Sequence, residues 1–256
     1  SSSSSSSSFN LSKIQSKRKF YWKLVQFHFL SKNSASSTNS TILNQIRLDI
    51  PRTIPNGFEQ VFETHVVRQA LERILFIWAV ENPAIGYFQG MNDLFSIFII
   101  VFLADQLGVR LEQLNQIAIT PCVLQGDSLS VEADAYWCAD ALMNAFSSNH
   151  PLACAEHHLP RFEFLVRLVN ERLYQKLNGF GVEFIHFGYR WFLCMLMREL
   201  QTTHIVRIFD FYFGKIGTHS HHSTLAPLPH TFHNYVCVAF LEAFSDDVMA
   251  LCSFEQ

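Results

Sequence analysis

Glycine and proline are scarce, at 10 and 8 in 256 residues, against 25 phenylalanines. An all-β chain needs turn residues at every hairpin, so the shortage points to helices packed around large rings. Charged residues make up only 16% and apolar ones 49%, which excludes intrinsic disorder over most of the length. Acids are missing altogether before Asp49. Seven of the 19 Lys and Arg lie in residues 1–48, so that segment carries +7 and the remainder −10, which gives the net −3. A body at −10 repels phosphates, and no nucleic-acid partner is expected. The basic start reads as a solvated flank, with acidic lipid or acidic protein as its alternative contact.

The six cysteines (122, 138, 154, 194, 237 and 252) never form a C-x-x-C pair. Cys138, Cys194 and Cys237 fall in apolar helical patterns, where a free thiol acts as a small hydrophobe. No signal-peptide pattern occurs, and a reducing, cytoplasmic setting is expected. The greasiest run, Leu94–Ala104, is 11 residues between Asp93 and Asp105. A membrane span needs about 20, so it reads as a buried helix. The P-loop, dinucleotide, zinc-protease and nucleophile-elbow templates are absent. His219, His221, His222, His230 and His233 match no zinc spacing and read as a polar loop between helices; no metal site is expected. His157–His158 has an equally bland reading, with no metal expected there.

Ser1–Ser8 is a homopolymer, and residues 1–12 read as a disordered Ser-rich tail ahead of a domain over 13–256. Ser31–Thr41 reads as a flexible connector, and Lys17–Leu30 between them as a short basic, aromatic helix or strand. From Ile42 onward the periods are helical. Helices are expected over Val61–Val80, Asp93–Leu107, Ser130–Phe146 (opened by a Ser cap), Arg161–Leu177 (closed by Gly179), Val182–Leu200, His204–Phe213 and Phe232–Phe244. The fold reading is all-α, with an N-terminal lobe over about 13–150 and a C-terminal lobe over about 151–256.

Two stretches are not explained by packing. Ile46-Arg47-Leu48-Asp49-Ile50-Pro51-Arg52-Thr53 fixes an Arg behind a proline, with an Asp three residues earlier. Gly86–Asp93 is a Gly-bounded loop that presents Gln89 just before the buried helix. An Arg and a Gln with no nucleophile nearby suit stabilising charge on another protein's phosphate. An Arg–Asp pair and an Asn/Gln turn of purely structural use are the alternative.

At these residues the sequence resembles the TBC domain, the GTPase-activating domain for Rab GTPases. Arg18 and Trp22 fit R-x-x-x-W; Ile46, Asp49 and Arg52 fit I-x-x-D-x-x-R; Tyr87, Gln89 and Gly90 fit Y-x-Q-G. Arg190-Trp191 with Met197-Arg198-Glu199-Leu200, and Arg207-Ile208-Phe209-Asp210, resemble the family's later R-W…R-E-L and R-x-W-D stretches, with Phe209 in place of the usual Trp. The order is the family's, over about residues 17–245, and Arg52 to Gln89 is the usual gap of 37. The wording IRLDIPRT, ERILFIWA and FGYRWFLCMLMREL is most similar to the family-22 branch, which includes the yeast Golgi protein of this type.

The resemblance implies a two-lobed helical fold that supplies two catalytic fingers to a Rab in trans, regulating vesicle traffic. Arg52 would be the arginine finger, neutralising charge between the β- and γ-phosphates, and Gln89 the glutamine finger, orienting the water. Ile46 and Asp49 would hold Arg52, while Tyr87, Gly90, Asn92 and Asp93 would shape the Gln89 loop. Arg18, Trp22, Arg190, Trp191 and Asp210 would be structural. GTP and Mg²⁺ would belong to the Rab, leaving no cofactor on this chain, and membrane proximity, at the Golgi or other endomembranes, would come through the Rab. The alternative is a TBC-like module that binds a Rab or scaffold without accelerating hydrolysis; the presence of both fingers favours the activator. Family members continue with further helices after Phe244, so a C-terminal lobe that stops short is expected here.

Overall fold

The computed structural model describes residues 3–30, 37–120, 131–146, 151–216 and 229–251. Among them every regular element is helical. The chain divides into two compact units, one of Ser1–Ala141 with Gln201–Val206, the other of Leu142–Leu200 with Arg207–Gln256.

The first unit is built around α5 (Met91–Leu107), the helix read from the longest apolar run. Its residues from Met91 to Ile100 are all buried. An N-cap glycine, Gly90 (φ +104), and a C-cap glycine, Gly108 (φ +62), bound it in the left-handed region that glycine enters without strain. α4 (His65–Glu81) lays Val67, Leu71, Ile74, Leu75 and Trp78 into the same core, with Trp78 edge-on to Phe95. α2 (Ser37–Asp49) packs on α4.

α1 (Ser3–Val25) is continued by a wider turn, Gln26–Leu30. It takes in the stretch read as a Ser-rich tail, and its Leu11 and Ile14 are exposed. Farther along, Tyr21 is fully buried and donates to Glu132 Oε1 at 2.6 Å, on α7 (Val131–Phe146). Arg73 of α4 grips the same buried carboxylate with two nitrogens at 2.7 Å. Glu132 thus ties three helices together.

The helix expected over Val61–Val80 is two. Thr64 adopts an extended backbone between α3 (Glu59–Glu63) and α4. Asn115, just past the short α6 (Leu111–Leu114), accepts from the amides of Gln60 and Val61, and Arg68 Nε donates to the carbonyl of Phe62. Asn115 thus caps the N-terminus of α3, and Arg68 satisfies a carbonyl that a continuous helix would have paired itself. The connector expected over Ser31–Thr41 is helical from Ser37, the start of α2; residues 31–36 lie outside the described residues, as does the expected Ser130 cap.

The second unit contains α8 (Pro151–Val169), α9 (Glu171–Gly179), α10 (Ile185–Leu193), α12 (Pro229–Glu242) and α13 (Ser245–Ala250). Phe162 is its hub, in ring contact with Phe184, Phe187, Trp191 and Phe192. Gly188 lets α10 approach α8 closely, since a Cβ there would lie 2.7 Å from Leu159 Cδ2. Two expected helices are corrected here. Arg161–Leu177 breaks at Asn170, whose Oδ1 accepts from Leu173 N at 3.0 Å and so caps α9. Leu168, which falls on the apolar 3.6-residue spacing with Leu165, Val169 and Leu173, is 70% exposed. Val182–Leu200 is helical only to Leu193, because Met195 and Leu196 take positive φ in a tight, buried turn. α11 (Thr202–Ile216) extends the helix expected over His204–Phe213 at both ends.

Candidate functional site

α2 ends at Asp49, directly before Ile50-Pro51, as the steric demand of a proline on its predecessor requires. The following single turn, Ile50–Arg52, has Pro51 in its first positions and closes with Thr53 N donating to Ile50 O at 3.0 Å. Ile46 is fully buried and anchors this end of α2. Arg52 points outward, 65% exposed, while its guanidinium pairs with Oδ1 of the buried Asp49. Its Nε donates to Leu48 O at 3.2 Å.

The second stretch enters α5. Gly90 is the N-cap residue, and its amide donates to Asn92 Oδ1 at 3.1 Å. Asn92 and Asp93 are buried in the first turn, where a carboxylate suits the positive end of the helix dipole. Ser96 is held by its hydroxyl donating to Asp93 O at 2.6 Å. Gln89, one residue ahead of the cap, is exposed and makes no side-chain hydrogen bond among the described residues.

These two stretches, 37 residues apart, are joined twice. The Tyr87 hydroxyl donates to Asp49 Oδ2 at 2.7 Å, leaving the other carboxylate oxygen to Arg52. Asn92 Nδ2 donates to Thr53 Oγ1 at 2.9 Å, and the Thr53 hydroxyl donates on to Asp49 O at 3.0 Å. Burial pushes the Tyr87 hydroxyl well above its ordinary pKa, reinforced by the bond to Asp49, so it stays a donor at any physiological pH. The result is a rigid polar seam with one exposed cation and one exposed amide on its rim. Such a pair can bind anionic oxygens and a water but holds no nucleophile of its own. Thr53 is the member that sequence reasoning did not single out; it stands next to Arg52 in the same motif, but only the fold shows that it meets Asn92.

Comparison with known proteins identifies the family. A model of the Rab-GTPase-TBC domain family matches residues 5–249. The chain belongs to this family. Human TBC1 domain family member 22B is 32% identical over 238 residues, covering 92% of this chain and 44% of that protein. The GTPase-activating protein gyp1 of Schizosaccharomyces pombe is 34% identical over 230 residues, covering 86% and 42%. The crystal structure of the Ypt/Rab-GAP domain of Gyp1p superposes with a TM-score of 0.76 at 31% identity, covering 94% of this chain and 71% of that one. The TBC domain here thus spans less than half the length of the curated relatives it matches.

The remaining motif residues of this TBC domain lie apart from the seam. Arg18 pairs with Asp134, its Nε at 2.8 Å from Oδ1, which fastens α1 to α7. Trp22 packs edge-on to Tyr21 in the same helix. Arg190 Nε donates to Glu199 Oε1 at 2.9 Å, bridging the two halves of the R-W…R-E-L stretch across the left-handed turn. Trp191 is buried against Phe187 and Phe240. Asp210 is exposed on α11. The histidine cluster does not hold together as one loop. His233 sits in α12, fully buried, accepting from the Tyr212 hydroxyl at 2.6 Å and donating to Trp191 O at 2.9 Å. It is buried because α12 turns its apolar face inward at that position. His219, His221 and His222 lie outside the described residues. Among the described residues no group of His, Cys, Asp and Glu could hold a metal, and no helix is long and apolar enough to cross a membrane. Cys194 and Cys237 are buried and stand outside any disulfide among the described residues, and burial raises the Cys237 pKa.

Proposed function

We propose that this TBC domain accelerates GTP hydrolysis on a Rab GTPase by lending it Arg52 and Gln89. One observation carries this reading: the two exposed side chains rise from segments locked to each other through Asp49–Tyr87 and Thr53–Asn92. Rigidity matters because two groups that must meet one phosphoryl centre lose rate if either drifts. Arg52 neutralises the negative charge that builds on the β–γ bridging oxygen as the γ-phosphoryl group departs, and the Gln89 amide aligns the attacking water. Asp49 orients the guanidinium, and Gly90, Asn92 and Asp93 fix the Gln89 loop at the start of α5. GTP and Mg²⁺ remain with the Rab, and this chain contributes side chains alone. A Rab partner would bring it to the cytoplasmic face of the Golgi or another endomembrane.

The test is single-turnover GTP hydrolysis on a panel of Rabs. An arginine finger is worth about 10³–10⁵ in rate. Arg52→Ala should therefore collapse hydrolysis by about that factor, while binding to the GTP-loaded Rab weakens far less. Near-full activity of Arg52→Ala on a Rab that the unaltered domain activates would overturn the assignment in favour of a binding module.

A further inference from the structure

The outer side of α1 has no part in the seam, yet its composition is unusual. Between Lys13 and Lys23 the helix carries five basic residues and no acid. Arg18 is used up by Asp134, but none of the four lysines forms an ion pair among the described residues. Lys13, Lys17, Lys19 and Lys23 are all exposed. The inner side is settled by the fully buried Tyr21 and by Val25. Away from that side stand Phe20, 51% exposed, and, in the wider turn that follows α1, Phe27, 57% exposed. At 3.6 residues per turn Lys17 lies to one side of Phe20, and Lys19 and Lys23 to the other.

We propose that this face of α1 is a docking surface for an anionic lipid bilayer, with the two rings entering the headgroup boundary and the lysines reaching lipid phosphates and carboxylates. Aromatic rings flanked by long cationic stems match the layering of such an interface, apolar below and anionic above. Charge complementarity sets the orientation. Lys13, Lys17, Lys19 and Lys23 bring four positive charges to this face, while the sequence after residue 48 sums to −10, so an anionic surface attracts the face and repels the acidic remainder. Lys17 also rests over the Trp137 ring at 4.9 Å, with Phe20 beside it at 6.1 Å, so a third aromatic borders the patch. The inference stands apart from the Rab reading, since it is read with no GTPase present.

The experiment is sedimentation with phosphatidylcholine vesicles, with and without phosphatidylserine as a third of the lipid. The whole chain should bind only the phosphatidylserine vesicles, and raised salt should release it, because exposed charges are screened within about 10 Å at 0.1 M. Each lysine at an anionic surface multiplies partitioning about fivefold. Lys13→Glu, Lys19→Glu and Lys23→Glu together should therefore lower it by at least about 100-fold. Phe20→Ser with Phe27→Ser should lower it by about tenfold or more and leave the salt dependence in place. All five positions are exposed, and an unchanged melting temperature verifies the fold; Lys→Gln at the same three lysines is the milder variant. Equal binding to both vesicle types, no binding, or binding that survives charge reversal would overturn the proposal. Capture by polyglutamate without vesicle binding would overturn it too, and would assign the face to an acidic protein.

Discussion

Asp49 divides its two carboxylate oxygens between Arg52 and Tyr87, the latter at 2.7 Å. One buried acid thus sets the orientation of the exposed cation and ties it to the loop that carries Gln89. Tyr87→Phe removes the tie while keeping the ring. It should cost about 1–3 kcal/mol, the range for leaving a buried charged acceptor short of one partner. Stimulated hydrolysis on the Rab should fall about tenfold by loosened geometry, with both fingers present. Denaturant melts and single-turnover rates, run together, check this, and an unchanged rate would show that the tie has no role in positioning.

Arg52→Lys and Gln89→Ala separate the two fingers. An ammonium cannot reproduce the planar fork of a guanidinium, so Arg52→Lys should recover little of the rate lost in Arg52→Ala. Gln89→Ala should also be severely slowed. If Gln89 replaces the GTPase's own glutamine, a Rab lacking that residue is still turned over by the unaltered domain. Failure of that Rab to respond, alongside normal activation of its parent, would remove the role from Gln89.

The Glu132 carboxylate is fully buried between Arg73 and Tyr21, and burial raises its pKa against the pull of both. Removing one partner strands a buried charge. Arg73→Met should therefore destabilise the first unit by about 3–5 kcal/mol. Arg73→Met combined with Glu132→Gln should recover part of that loss, because the charge has gone too. Urea midpoints for the two variants decide it, and a double variant no better than the single would show that the pair is not coupled.

His233 gives the second unit a defined pH response. Burial holds its imidazole neutral, with the pKa lowered to about 4 from 6.5. Below pH 6.5 the unfolded chain takes up the proton while the folded chain refuses it. Stability must then fall as pH drops from 6.5 to about 4, by up to about 1.4 kcal/mol per pH unit. His158, lowered by burial and by His157, acts in the same direction. His233→Gln should be less stable at pH 7, yet show a shallower decline over that window. Parallel stability–pH curves for the two proteins would refute the assignment.

Much of this molecule is written locally. The shortage of turn residues and the 3.6-residue periods call for helices, and α5 could be placed from its apolar run and its flanking glycine alone. The Arg52 and Gln89 motifs were legible because each is short and contiguous. Interruptions of helices were not. Thr64 and Asn170 sit in sequences whose apolar spacing runs straight through them. Side-chain bonds that the apolar pattern does not carry accompany each break: Arg68 donating to the Phe62 carbonyl beside Thr64, and Glu242, with Ser245, receiving the Asn170 amide.

The same division holds at the site. By itself the sequence determined which side chains could act there, because an arginine behind a proline and a glutamine before a helix cap are local chemistry. Only the tertiary structure decided that they act from one rigid seam. Thr53 meets Asn92, and Asp49 meets Tyr87, across 39 and 38 residues of chain. Hydrogen bonds of that separation form only after α2, α4 and α5 have packed their apolar faces, and no period or spacing encodes them. His233 is the converse case: grouped in sequence with the histidines of the loop before it, it falls in the helix expected over Phe232–Phe244 and is buried because the packing of α12 turns that position inward.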